Sequence, residues 1–71
     1  MNATELHNLA VRFRVGCPNL CHCETRDFIA SIGGEIAIRY GFWLGVPRRN
    51  RKKRYAVALA IADLLDKKAN Q

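Results

Sequence analysis

The chain lacks the long apolar stretches that would place it in a membrane or direct it out of the cell. No uninterrupted apolar segment among its 71 residues reaches the roughly 18 residues that a membrane-spanning helix needs. The first 15 residues include Glu5, Arg12 and Arg14, and they lack the apolar centre of an export signal. The sequence also contains no internal repeat and no low-complexity tract. These absences predict a cytoplasmic protein that forms one small basic domain over residues 1–71.

Acidic residues are scarce, and the basic residues are concentrated in one segment. The chain has 12 lysines and arginines against six acids, which gives a formal net charge of +6. Half of the cations lie in residues 48–54, which we call the basic run, and the other six equal the acids in number. A concentrated cationic segment on an otherwise neutral chain indicates an anionic partner, most often a phosphate backbone. The side chains predicted to bind nucleic acid are Arg48, Arg49, Arg51, Lys52, Lys53 and Arg54.

The basic run precedes the most apolar helical segment of the sequence, where cations are locally unfavourable. The first turn of a helix carries about half a positive charge and four unpaired amide hydrogens. Binding of an anion relieves this conflict, because phosphate is attracted by the same amides and by the side chains around them. Two other interpretations remain open. The run can be a solvated loop that keeps the domain soluble, or it can bind anionic lipid or an acidic protein surface.

The periodicity of apolar residues predicts a mainly α fold, a compact single domain of three or four helices with a Cys-containing loop. Apolar positions recur at helical spacing over Thr4–Arg14, and Asn2 with Glu5 fits a capping box. Residues 15–24 are predicted to form the loop that holds all three cysteines. Thr25 is predicted to cap a second helix, which the adjacent glycines Gly33 and Gly34 either kink or end.

Residues 35–46 fit two patterns. Their apolar residues alternate as in a strand, and they also form a helical stripe from Ile29 to Trp43. A lone strand would have no partner for its backbone, so a helix is favoured over the alternative of an α+β domain with a strand here. The last helix is predicted over Arg51–Lys68, capped by Asn50. Its main buried face is formed by Val57, Ala58, Ile61, Leu64 and Leu65.

Residues 34–54 loosely resemble a helix-turn-helix. Residues 34–41 read as a first helix, and Leu44, Gly45, Val46 and Pro47 read as the turn before a second, reading helix. This resemblance implies a helix that begins near Arg48 and contacts base edges. In a helix-turn-helix, an apolar residue around position 51 would be buried, whereas this chain has Arg51 there.

Three cysteines and a neighbouring histidine raise the possibility of a metal site. Cys17, Cys21, His22 and Cys23 form a potential Cys3His zinc site, which would contribute folding energy to a domain of this size. Their spacing differs from the usual pairs of ligands two to four residues apart. Free thiols in a loop and an intermolecular or redox pairing are the alternatives. No cofactor other than this zinc is expected.

Aromatic residues flank the basic run. Trp43 is predicted to anchor the core, but Phe42, Trp43 and Tyr55 together are also typical of the centre of a protein interface. The sequence predicts a non-enzymatic binding protein with a regulatory or accessory role, and its short length and basic character would suit an accessory protein of a mobile element or phage. The alternative is an inhibitor or adaptor of a larger enzyme complex, with Trp43 and the arginines as its contacts. A homodimer is also open, because so short a chain often needs a further source of stability.

Overall fold

The structure, a computed structural model, describes residues 2–15 and 22–70, and the secondary structure in these ranges is entirely α-helical. The four helices are α1 (Ala3–Arg14), α2 (His22–Ile32), α3 (Gly34–Gly45) and α4 (Arg51–Ala69). The prediction of a mainly α domain is confirmed. The alternative with a strand over residues 35–46 is wrong, because α3 occupies this segment and the described ranges contain no strand.

Helix α1 forms as its sequence predicts. The side-chain oxygen of Asn2 accepts a hydrogen bond of 2.9 Å from the backbone amide of Glu5, so one of the unpaired amides of the first turn is satisfied. Glu5 lies near the positive end of the helix dipole, and Arg12 and Arg14 lie near the negative end. The buried residues of α1 are Leu6, Leu9, Ala10 and Phe13.

Helix α2 begins earlier than predicted. It starts at His22, so the predicted loop over residues 15–24 is wrong for its last three positions, and Cys23 belongs to a helix. Thr25 was expected to cap this helix, and this prediction is wrong because Thr25 lies in the second turn with a buried side chain. A cap residue has non-helical backbone angles, and a threonine three residues inside a helix has helical ones.

The glycine pair separates α2 from α3. Gly33 and Gly34 have positive φ angles of 69° and 59°. Residues other than glycine rarely adopt such angles. The amide of Gly33 donates a 3.0 Å hydrogen bond to the carbonyl of Ile29, which closes α2. The two glycines therefore end one helix and start the next, and the chain changes direction between them.

Helix α4 is the centre of the domain. Helices α1 and α3 both pack against it, and α2 packs against α3. The core is completed by three aromatic rings, with Phe13 edge-on to Tyr40 and to Trp43 at centroid distances of 6.3 and 5.5 Å, and with Tyr40 stacked on Trp43 at 5.7 Å. The buried residues of α4 are Ala58, Ile61, Ala62 and Leu65.

Among the helices of residues 2–15 and 22–70, none combines the length and the apolar character needed to cross a membrane.

Candidate nucleic-acid interface

The basic run forms the corner between α3 and α4. The amide of Val46 donates a 3.2 Å hydrogen bond to the carbonyl of Trp43 at the end of α3. The amide of Asn50 donates a 2.9 Å bond to the carbonyl of Pro47, which closes a turn with Arg48 and Arg49 at its two central positions. The first two cations of the run are therefore presented by a tight turn, and the other four begin α4.

Asn50 caps α4, as predicted. Its side-chain oxygen accepts a 3.3 Å hydrogen bond from the amide of Lys53, and its carbonyl accepts a 3.0 Å bond from the amide of Arg54. The first turn of α4 contains no acidic residue. The positive end of the helix dipole thus meets a cluster of cations, which is the local conflict that the sequence predicts.

Five of the six cations are exposed to solvent: Arg48, Arg49, Arg51, Lys52 and Lys53. None of them forms an ion pair with an acid in residues 2–15 or 25–70, the ranges whose side chains the structure describes. Elsewhere in the described chain, Arg14 and Arg39 do pair with acids. The positive charge at this corner is therefore left uncompensated by the described part of the fold.

Arg54 differs from the rest of the basic run because its guanidinium group points into the domain. The Nη1 atom donates to the carbonyls of Val46 and Trp43 at 3.0 and 3.3 Å. Both carbonyls lie at the end of α3, and that of Trp43 also accepts from the amide of Val46. Its Cζ atom lies 4.1 Å from the centroid of the Trp43 ring, within the range of a cation–π interaction. Arg54 thus joins α4 to α3, and its assignment as a phosphate ligand stays a prediction.

The inward orientation of Arg54 is not predicted by the sequence, because all the cations of a basic run look alike in sequence. The feature that distinguishes Arg54 is its place on α4, one helical turn before the buried Ala58, which turns its side chain toward the core. Its partner Trp43 lies 11 residues earlier, so only the packing of α3 on α4 brings the two together.

The three predicted partner-binding aromatics are found in different environments. Trp43 is only 5% exposed, so the interpretation as a core anchor is confirmed and Trp43 is not available to fill a pocket on a partner. Phe42 and Tyr55 are 67% and 49% exposed. Tyr55 follows Arg51 and Lys52 by one helical turn, which places an exposed ring beside exposed cations.

The opposite end of α4 carries charges that are paired with α1. Arg14 bonds to Asp63 at 3.1 Å and to Asp66, and the Nδ1 atom of His7 lies 3.1 Å from Asp66 Oδ1. Hydrogen bonds from Arg14 and then from His7 lower the pKa of Asp66. The hydrogen bonds that Arg14 donates, to Asp66 first and then to Asp63, raise the pKa of Arg14. At this end of α4, basic and acidic residues of the same chain therefore form ion pairs.

The predicted metal ligands lie mostly outside the described structure. Cys17 and Cys21 fall in the segment that is not described, and the side chains of His22 and Cys23 are likewise outside the description. Within the described residues, no group of three or more potential metal-binding side chains is close enough to hold an ion. The zinc site stays a prediction.

The connection between α3 and α4 departs from the helix-turn-helix resemblance. The second helix begins at Arg51, three residues later than the resemblance implies, and Arg51 itself is exposed where that motif buries an apolar side chain. Comparisons of the chain with protein-family models, with curated proteins and with solved structures find no match. The function must therefore be inferred from the site alone.

Proposed function

We propose that this chain is a non-enzymatic protein that binds nucleic acid by contacting phosphates with Arg48, Arg49, Arg51, Lys52 and Lys53. One observation carries the proposal. These five cations are exposed at one corner, and the described part of the chain offers them no acidic partner. A phosphate backbone supplies closely spaced negative charges that match such a cluster.

The helix start strengthens the attraction for phosphate. Free amides in the first turn of α4 and the positive end of its dipole favour an anion at this position. Because that turn contains no acidic residue, no carboxylate of the first turn competes with the phosphate. Phosphate contacts provide affinity without reading the base sequence, so we expect binding that tolerates many sequences and weakens steeply with salt.

Tyr55 adds a possible contact to unpaired bases. Its half-exposed ring lies one turn beyond Arg51 and Lys52, and stacking of a base on an aromatic ring contributes about 1–3 kcal/mol. A preference for single strands over duplexes would identify this contact. Loss of that preference in Tyr55→Ala would assign it to this residue.

The adaptor alternative retains part of its support. The same arginines can meet an acidic protein surface, and Phe42 and Tyr55 remain exposed. Trp43, which was expected to be the central anchor of an interface with a partner protein, is buried in the core. We therefore favour nucleic acid as the partner.

The test compares two variants with equal charge. The first replaces two arginines and two lysines of the basic run by glutamine, and the control replaces two exposed arginines and two exposed lysines elsewhere. Each variant loses four positive charges, which lowers the formal net charge from +6 to about +2 by the ordinary charges of these groups. The substituted positions are Arg48, Arg49, Lys52 and Lys53 in the first variant, and Arg12, Arg26, Lys67 and Lys68 in the control.

Fluorescence anisotropy with labelled duplex and single-stranded oligonucleotides measures the binding, between about 50 and 200 mM salt. Five phosphate contacts predict that the wild-type affinity falls by about 10²–10³-fold across this range. The basic-run variant should bind at least about tenfold more weakly, with a salt slope reduced by up to about 3.6, while the control stays close to wild type. Equal losses in the two variants, or no wild-type binding at the lowest salt, would overturn the proposal.

A further inference from the structure

A second surface of the domain is apolar and has no partner in the described chain. Ile38 and Phe42 are 62% and 67% exposed, and they lie on α3 opposite its buried residues Ile36, Tyr40 and Trp43. Gly41 and Gly45 follow Ile38 by three and seven residues, so helical spacing places both glycines on the same side of α3. We call Ile38, Gly41, Phe42 and Gly45 the outer face of α3.

The fold itself does not require the two glycines of this face. Neither has a positive φ angle, and a Cβ atom at either position would meet nothing within 4 Å. A glycine in the interior of a helix costs about 1 kcal/mol relative to alanine, so Gly41 reduces the stability of α3 without a gain inside the chain. Missing Cβ atoms on an exposed face suit the close approach of another backbone or side chain from outside.

We propose that the outer face of α3 binds a second copy of this chain, with the two α3 helices antiparallel. The midpoint of the face lies between Gly41 and Phe42, and Ile38 and Gly45 are equally far from it. Two-fold symmetry about this midpoint places Ile38 of each copy over Gly45 of the other. Beside the axis, each Gly41 and each Phe42 meets its own counterpart, so the glycines allow close approach and the two rings form a pair.

Charge favours the same orientation. Glu35 lies in the first turn of α3, seven residues before Phe42 and thus on the same side of the helix, whereas the basic run follows the other end of α3. An antiparallel pair brings Glu35 of each copy toward Arg48 of the other, whereas a parallel pair would bring like charges together. Glu35 already accepts a 3.4 Å hydrogen bond from Arg39 at one oxygen, and its second oxygen can accept another.

The interface is small, and this sets the expected strength. It is built from two large apolar side chains per copy, so we expect it to bury less than the roughly 1,200 Å² of stable complexes. We expect a dimer that dissociates on dilution. The proposal does not depend on nucleic-acid binding, because its test contains no nucleic acid.

Sedimentation equilibrium of the full chain in reducing buffer, from about 10 μM to 1 mM, measures this association. The decisive variant is Gly41→Ala. A methyl group on the outer face stabilises α3 in the monomer but obstructs close approach of the second copy. We therefore expect a higher thermal midpoint in dilute solution together with association weakened about tenfold. A glycine with no role between copies would raise the midpoint and leave association unchanged.

Ile38→Ser should weaken association as well, and Val11→Ser is its matched control. Val11 is a β-branched residue of α1 that is 42% exposed and lies outside the outer face of α3. A wild-type chain that stays monomeric at the highest concentration would overturn the proposal. Association that is unchanged in Gly41→Ala or in Ile38→Ser, or that is lost equally in Val11→Ser, would also overturn it.

Discussion

The two ends of α4 present opposite solutions to the placement of charge. At the end that packs on α1, Arg14 and His7 contact Asp63 and Asp66. At the other end, five exposed cations surround the helix start without an acidic partner among the described side chains of residues 2–15 and 25–70. Both ends belong to one continuous helix, so the difference in charge pairing arises from the side chains and not from the backbone conformation.

This difference separates charges that serve the fold from charges that are free to serve a partner. Ion pairs between α1 and α4 are satisfied within the chain and help to fix the two helices together. Cations at the start of α4 oppose the dipole of their own helix, so the isolated domain gains no stability from them. Arg54 marks the boundary, because it belongs to the basic run in sequence and to the core in structure.

The largest predicted effect tests whether the basic end of α4 is anchored on a packed core. Trp43→Ala should lower the free energy of unfolding by about 3–5 kcal/mol, because it removes a buried ring that contacts Phe13, Tyr40 and Arg54. In so small a domain this loss approaches the whole stability. Urea denaturation followed by circular dichroism measures it.

Phe42→Ala is the control for Trp43→Ala, because the neighbouring ring is mostly exposed. In dilute solution its effect should stay within about 0.5 kcal/mol. Similar losses in the two variants would show that the corner between α3 and α4 is packed differently from the structure described above.

The next effect divides the basic run into two kinds of residue. Arg54→Ala should destabilise the domain by about 1–3 kcal/mol, because two carbonyls at the end of α3 lose a charged donor and Trp43 loses its cation. Arg51→Ala, three residues earlier and exposed, should leave the free energy of unfolding unchanged or raise it slightly. The comparison uses chemical denaturation at equal ionic strength.

Nucleic-acid affinity should respond in the reverse order. Arg51→Ala removes a proposed phosphate contact, whereas a folded population of Arg54→Ala retains all five exposed cations. If Arg54→Ala were as stable as wild type and bound nucleic acid much more weakly, Arg54 would belong with the phosphate ligands after all.

Replacing a lysine by glutamate at each end of α4 tests the influence of the helix dipole on the two ends. Lys52→Glu places an acid in the first turn and should raise the free energy of unfolding by about 0.3–1 kcal/mol. Lys67→Glu reverses a favourable charge in the last turn and should lower it by a similar amount. Thermal and urea denaturation of both variants at low salt give the two signs, and high salt should shrink both effects. Equal signs would exclude the helix dipole as the cause.

Much of the fold could be predicted from the sequence because local rules and tertiary packing agree. The caps at Asn2 and Asn50 and the ends of α4 follow from side-chain chemistry within a few residues, whereas the sequence left open whether Gly33 and Gly34 kink one helix or separate two. The start of α2 could not be predicted, since Thr25 satisfies the local pattern of a cap and only burial against other helices decides against it.

The candidate site shows the same division. Exposure of the turn with Arg48 and Arg49 follows from Pro47 and from the charges themselves. The inward orientation of Arg54 depends on Trp43, which only the packing of α3 on α4 brings near. The environment of Phe42, exposed next to a buried Trp43, depends on which face of α3 meets the core, and alternating and helical patterns were both present in the sequence.

The smallest predicted effect concerns pH at the paired end of α4. Hydrogen bonds from Arg14 and His7 hold the pKa of Asp66 below its ordinary value, so the unfolded chain binds the proton more readily than the folded one. The stability contributed by these bonds is therefore fully present above about pH 4, the ordinary pKa of an aspartate, and is lost as the pH falls through the lower pKa of the folded state. Asp66→Asn should flatten this acidic limb of a plot of stability against pH. Asp63→Asn, at a more exposed position with a single contact to Arg14, should retain most of it. An acidic limb unchanged in Asp66→Asn would show that the contacts between α1 and α4 do not hold these charges in solution, and the contrast between the two ends of α4 would then fail.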